Sequence, residues 1–167
     1  MNLDDSWKQL QQVNEIVRHA DAKAGLILTL NGILVGLVAV RLQSAGFFAD
    51  HTVSAVALVI AVALLTVSIA FDIAAVMPRL FAAGQQSSLL HFDHVAVEYA
   101  GRVSDYIDDF VALSRDPEQL QREIAAQVWA NTMVARRKHR CVQWGLRFLA
   151  AALAVVILAV ITGAFEG

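Results

Sequence analysis

A single cysteine, Cys141, leaves no partner for an internal disulfide, so the fold does not depend on oxidation. Charge is scarce as well. Asp, Glu, Lys and Arg make up 17% of the 167 residues against 57% hydrophobic, and the mean hydropathy is +0.56, far too apolar for a soluble domain. The scarcity is segregated: Ala24 to Val40, Val53 to Phe71 and Phe148 to Phe165 contain no charged residue. As helices, each would run roughly 25 to 30 Å, close to the ~30 Å hydrocarbon core of a bilayer. Motifs of catalysis are also lacking. No P-loop, GxSxG, GxGxxG or HExxH pattern occurs, and His91 and His94 of "HFDH" have no third well-spaced metal ligand. The sequence therefore reads as no enzyme and calls for no cofactor, metal or nucleic-acid partner.

What is present points to an all-α integral membrane protein with three transmembrane helices. More than 20 residues, including Asp4, Asp5, Glu15 and Asp21, precede the first apolar run, where a secretory signal would carry a short basic segment, so a retained anchor is expected. Lys8, Arg18 and Lys23 precede that run, and Arg79, Arg102, Arg115, Arg122, Arg136, Arg137, Lys138 and Arg140 lie between the second and third. Only Arg41 lies between the first two, and no cation follows the third. The positive-inside rule then puts the N-terminus in the cytosol and the C-terminus outside. The expected order is a cytosolic amphipathic helix over 1–23, spans over 24–41 and 53–77 joined by an external loop over 42–52, a cytosolic helical region over 78–145, and a last span over 146–165.

The cytosolic parts carry helical spacing. Trp7, Leu10, Val13, Val17, Ala20 and Ala24 recur at intervals of three and four, one stripe feeding the first span without a breaker. Gly84 and the adjacent serines suggest a loop, and "LLHF" a short extended piece. Val95, Tyr99, Val103, Tyr106, Ile107 and Phe110 then predict a second amphipathic helix, with Glu98, Asp105, Asp108 and Asp109 on its solvated face. Asp116 reads as the N-cap of the next helix, with Pro117 at its first position and Glu118 in its first turn. From there to Gly163 there is one glycine and no proline, which suits one helix that leaves the membrane and projects ~40 Å into the cytosol.

Polar residues near the first span need partners. Gly25, Thr29, Gly32 and Gly36 form a small-residue face on which another helix can press, from the same chain or from a second subunit. Asn31 continues the Trp7 to Ala24 stripe and serves as interhelical glue or as part of a polar pocket. Asp21 and Lys23, two residues apart, point about 200° away from each other and cannot pair. Arg18 is in reach of Asp21. Lys23 could meet Asp72, the one charged residue in the second span, unless both charges simply snorkel to the interface. The run Arg136 to Arg140 anchors the last span, or supplies Arg136 or Lys138 to a phosphate held jointly with Arg18 or Lys23.

"HADAKAGLILTLNG", "LLHFDHVAVEY" and "AAQVWANTMVARRKH" together resemble the membrane-embedded effectors of Pycsar anti-phage systems, in order and over most of the chain. Asp21, Lys23, Ala24, Gly25 and Asn31 match the family's first motif, and Asn131, Ala135 and Lys138 its last. The chain departs from the pattern at Asp93, in place of a small residue, and at His139, in place of an aromatic. The resemblance implies a defence function. A pyrimidine cyclase makes cyclic CMP or cyclic UMP on infection, and the effector impairs the inner membrane so that the infected cell stops growing or dies. The expected ligand is thus a cyclic pyrimidine nucleotide and the expected surroundings membrane lipid and further copies of the chain. Its phosphate would rest on Arg136 or Lys138 and Lys23, with Asn131 or Asp21 bonding base or ribose and Phe92 or Trp129 stacking. Two other classes stay open on the residues alone: a constitutive channel or transporter subunit with Asp72 and Asn31 on an ion path, and a membrane scaffold.

Overall fold

The computed structural model describes residues 2–43, 52–77 and 88–165. Among them are five helices and no strand: α1 (Leu3–Leu42), α2 (Thr52–Val76), α3 (Phe92–Glu98), α4 (Val103–Arg115) and α5 (Pro117–Phe165). α1, α2 and α5 are long and apolar enough to cross a membrane. With 40 and 49 residues, α1 and α5 extend about 60 and about 74 Å. The proposed loop at Gly84 and most of the proposed external loop lie outside the described residues.

α5 starts where the sequence places its cap. Asp116 Oδ1 accepts the backbone N–H of Glu118 at 3.1 Å and of Gln119 at 3.0 Å, and Pro117 occupies the first helical position, where no N–H is needed. The predicted helix from Val95 to Phe110 is instead two helices, α3 and α4. Gly101 adopts φ +74°, outside the right-handed helical region, so the chain turns at Tyr99 to Arg102 and restarts at Val103. In "LLHF", Leu89 and Leu90 form a turn; His91 is extended, and Phe92 already begins α3.

The chain divides into two compact units, residues 20–77 with 137–167 and residues 1–19 with 78–136. The first unit is a bundle of α1, α2 and α5. Its buried positions step by three and four: Ala20, Ala24, Ile27, Asn31 and Val38 on α1, Leu58, Ala61, Leu65, Ser68, Asp72 and Ala75 on α2, and Val142, Gly145, Leu149, Ala152 and Ala159 on α5. A seven-residue repeat drifts against the 3.6-residue turn, so helices following it cross with a left-handed supercoil. Ala24 and Ile27 cluster with Ala75, Val142 and Leu149, while Val38 clusters with Ala55, Leu58 and Ala159. Hence α1 and α5 run parallel and α2 runs against them. Alanines at the contacts let the helices approach closely where lipid offers no hydrophobic drive. The outer faces are apolar too, with Leu26, Leu37, Val40 and Val160 exposed, as a surface facing hydrocarbon requires.

In the second unit Leu113, Ile124 and Ala135 are buried, as are the polar Ser6 and Gln127. Tyr99 donates to Asp109 Oδ2 at 2.8 Å, and its ring meets Tyr106 edge-on at 5.5 Å. Burial along α4 is confined to Leu113, and Val103, Ile107 and Phe110 of its apolar stripe are exposed.

Candidate functional site

At the charged end of the bundle, α5 brings Lys138 over the seam one heptad before Gly145, because the three-and-four spacing of buried residues continues through Val142 to Lys138. Its side chain is 13% exposed and donates to Asp21 Oδ1, whose side chain is 38% exposed. The carboxylate end of the pair stays open to solvent, while the ammonium end is largely withdrawn from it. Arg18 does not serve Asp21; it reaches Glu15 at 3.8 Å. Lys23 is exposed and makes no ion pair among the described residues, and Asp72, its suggested partner, bonds to Asn31. Arg137 and Arg140 are exposed as well. The bundle's end therefore combines one held cation with three open ones.

About two to three turns further into the bundle lies a polar cluster. Asn31 Nδ2 donates to Ser68 Oγ at 2.8 Å and to Asp72 Oδ2 at 3.0 Å, and Ser68 Oγ donates to the Gly145 carbonyl at 2.8 Å. All three side chains are buried, so Asn31 acts as interhelical glue. Gly145 is the most closely packed of the described glycines: a β-carbon there would come within 3.1 Å of Asp72 Cγ. Among the described residues nothing packs on the glycines of the Gly25, Thr29, Gly32 and Gly36 face: a β-carbon on any of them would meet nothing within 4 Å. Phe71, Trp144 and Phe148 stack beside the cluster, with Arg147 over the Trp144 ring at 4.8 Å, an aromatic and cationic anchor of the sort found at membrane interfaces.

The remaining candidates belong to the other unit. Asn131 Nδ2 donates to Asn14 Oδ1 at 2.8 Å. Phe92 is exposed and stacks on His91 at 5.2 Å, and Trp129 and Arg136 are exposed. Arg136 and Lys138 diverge by about 200° on α5, so the two do not point to one ligand atom. Of the proposed ligand residues, then, the structure brings Asp21 and Lys138 into contact. Ser68, Gly145 and Asn14 were not singled out by sequence reading. Ser68 stands four residues before Asp72, one turn along the same face, which is the signal that could have found it.

Three lipid-length helices with a polar lock inside and cations at one end define a multi-span, all-α membrane protein. The family model of the Pycsar effector protein domain, PycTM, matches residues 5–164. The chain belongs to this family. It is 29% identical over 142 residues to the Pycsar effector protein PtPycTM of Propioniciclava tarda, covering 81% of this chain and 67% of that one. A shorter match, 47% identical over 47 residues, links it to the Pycsar effector protein MePycTM of Micromonospora echinofusca, covering 28% of this chain and 80% of that one. No solved structure matches the chain.

Proposed function

We propose that the chain is the membrane effector of a cyclic-pyrimidine-nucleotide antiviral defence system, sensing cyclic CMP or cyclic UMP made by a partner pyrimidine cyclase and impairing the inner membrane in response. The observation that carries this reading is the family match, which extends through all three apolar helices and both charged flanks. The N-terminus and the 78–145 region face the cytosol, where the nucleotide is made, and the C-terminus lies outside. The cyclic phosphate bears one negative charge. It takes Lys138 from Asp21 and is held with Lys23, through charge-assisted hydrogen bonds. Asn131, Arg136 and Phe92 are the further candidates for contact with base, ribose or phosphate.

Exchange of Asp21 for a phosphate changes what holds α1 to α5, and a ligand shifts a conformational equilibrium only by such a differential contact. The outward face of Gly25, Thr29, Gly32 and Gly36 is where α1 meets a second copy once the spans reassociate. Expression of the chain with an active or an inactivated pyrimidine cyclase, while membrane potential is followed, tests the reading. Depolarisation should require the active cyclase. Depolarisation with either enzyme would instead indicate a constitutive channel, and none with either would indicate a scaffold.

A further inference from the structure

The polar cluster inside the bundle does not balance. Its donors are the two N–H bonds of Asn31 Nδ2 and the hydroxyl of Ser68, and all three are spent, on Ser68 Oγ, Asp72 Oδ2 and the Gly145 carbonyl. Two acceptors remain with no donor among the described residues, Asp72 Oδ1 and Asn31 Oδ1, and both residues are 0% exposed. Exchanging the oxygen and nitrogen of the Asn31 amide does not help, because it would turn an acceptor toward the carboxylate. The cluster is one donor short in either orientation. It is also one positive charge short. A water molecule would supply a donor but leave an ionised carboxylate inside an apolar span, where such a charge must be paired or neutralised.

No cation among the described residues does this. Asp72 is the sole ionisable residue of α2. On α1 the ionisable residues nearest Asn31 are Lys23 and Arg41, eight and ten positions away, and Lys23 is exposed. On α5, Cys141 packs against the apolar core, Arg147 lies over Trp144, and Lys138 is engaged with Asp21.

We infer that the Asn31, Ser68, Asp72 and Gly145 cluster is a proton-binding site, with the proton resident on Asp72 Oδ1. One proton corrects both deficits. It removes the charge and turns one orphaned acceptor into a donor, for which Asn31 Oδ1 is the remaining acceptor. Oδ2 already accepts from the Asn31 amide, and a carbonyl oxygen accepts better than a hydroxyl, which favours Oδ1 as the protonated oxygen. The span thus crosses the membrane neutral, and Asp72 can ionise only when water or a cation enters the bundle. Nothing in this depends on which nucleotide, or whether any nucleotide, is bound.

Infrared spectroscopy of the purified full chain in detergent at neutral pH tests it. The wild type should show the carbonyl stretch of one protonated carboxyl, moved by D2O and by 13C-aspartate labelling, and Asp72→Asn should lack it while keeping its helical circular dichroism. Absence of that band in the wild type overturns the proposal, and the labelled wild type decides this even where the variant does not fold. A sodium-dependent rise in wild-type melting temperature that disappears in Asp72→Asn overturns it too, since the site then holds an alkali cation in place of the proton.

Discussion

Gly145 on α5 lies against the carboxyl group of Asp72 on α2, with room there for a hydrogen and not for a methyl group. Gly145→Ala therefore sets two effects against each other. Alanine favours the helix by about 0.8 to 1 kcal/mol, whereas overfilling a packed contact costs about 1 to 3 kcal/mol. The carboxyl is held by Asn31 and cannot swing aside freely, so the second effect wins. The variant should unfold more readily in a denaturing-detergent titration. Adding Asp72→Ser, which removes the obstructing atoms, should recover part of the loss where independent effects would add.

The outer glycines should behave in the opposite way. Space around Gly32 and Gly36 is open, so Gly32→Ala with Gly36→Ala should leave bundle stability unchanged or raise it by up to ~1 kcal/mol per site through helix propensity. Gly32→Leu with Gly36→Leu should keep the helical signal and lower the self-associated fraction in sedimentation of detergent-solubilised protein. A pair of leucines that unfolds the isolated chain would show that this face packs within it after all.

The three spans were legible because a charge-free run of lipid length can satisfy its backbone only as a helix. Their seam was harder to read. Glycine draws attention as the residue of close approach, yet the bundle packs through Ala24, Ala61, Ala75 and Ala152, which blend into an alanine-rich background. Asn31 was traceable by its place on the Trp7 to Ala24 stripe, and Asp72 by its charge; their bond was not, because register between two separate spans follows from packing along their whole length. The Asp21 to Lys138 contact was missed for the same reason, with Arg18 favoured for its closeness in sequence. Gly101 falls on the acidic face, four residues before Asp105, and leaves the apolar stripe unbroken in sequence; its φ of +74° overrides that pattern.

Outside the membrane-spanning helices, Tyr99 donates to the Asp109 carboxylate, and this bond, with added burial and the nearby negative charge, raises the pKa of the phenol above its usual 10.0. The folded chain therefore holds this proton more tightly than the unfolded one. The resulting stability is present in full below pH 10.0 and declines as pH rises through the higher folded value. Asp109→Asn removes the main cause, so the phenolate absorbance of Tyr99 should develop at lower pH. Asp108→Asn should leave it nearly in place. With two tyrosines in the chain, Tyr106→Phe isolates the signal.

Lys138 and Asp21 offer the sharpest test of ligand binding, because a structural pair and a ligand site respond differently to loss of the acid. Losing a charge-assisted hydrogen bond of about 1.5 to 3 kcal/mol should weaken cyclic-nucleotide binding by Lys138→Ala roughly tenfold to a hundredfold. Asp21→Asn keeps the shape of the side chain but no longer competes with the phosphate for the ammonium group. If Lys138 receives the phosphate, this variant should bind as tightly as wild type or tighter, because no carboxylate competes for the ammonium group. Calorimetric titration of both proteins with cyclic CMP and cyclic UMP measures the difference. Equal weakening in the two variants would mean that the pair only fastens α1 to α5, and that the phosphate must be sought at other cations.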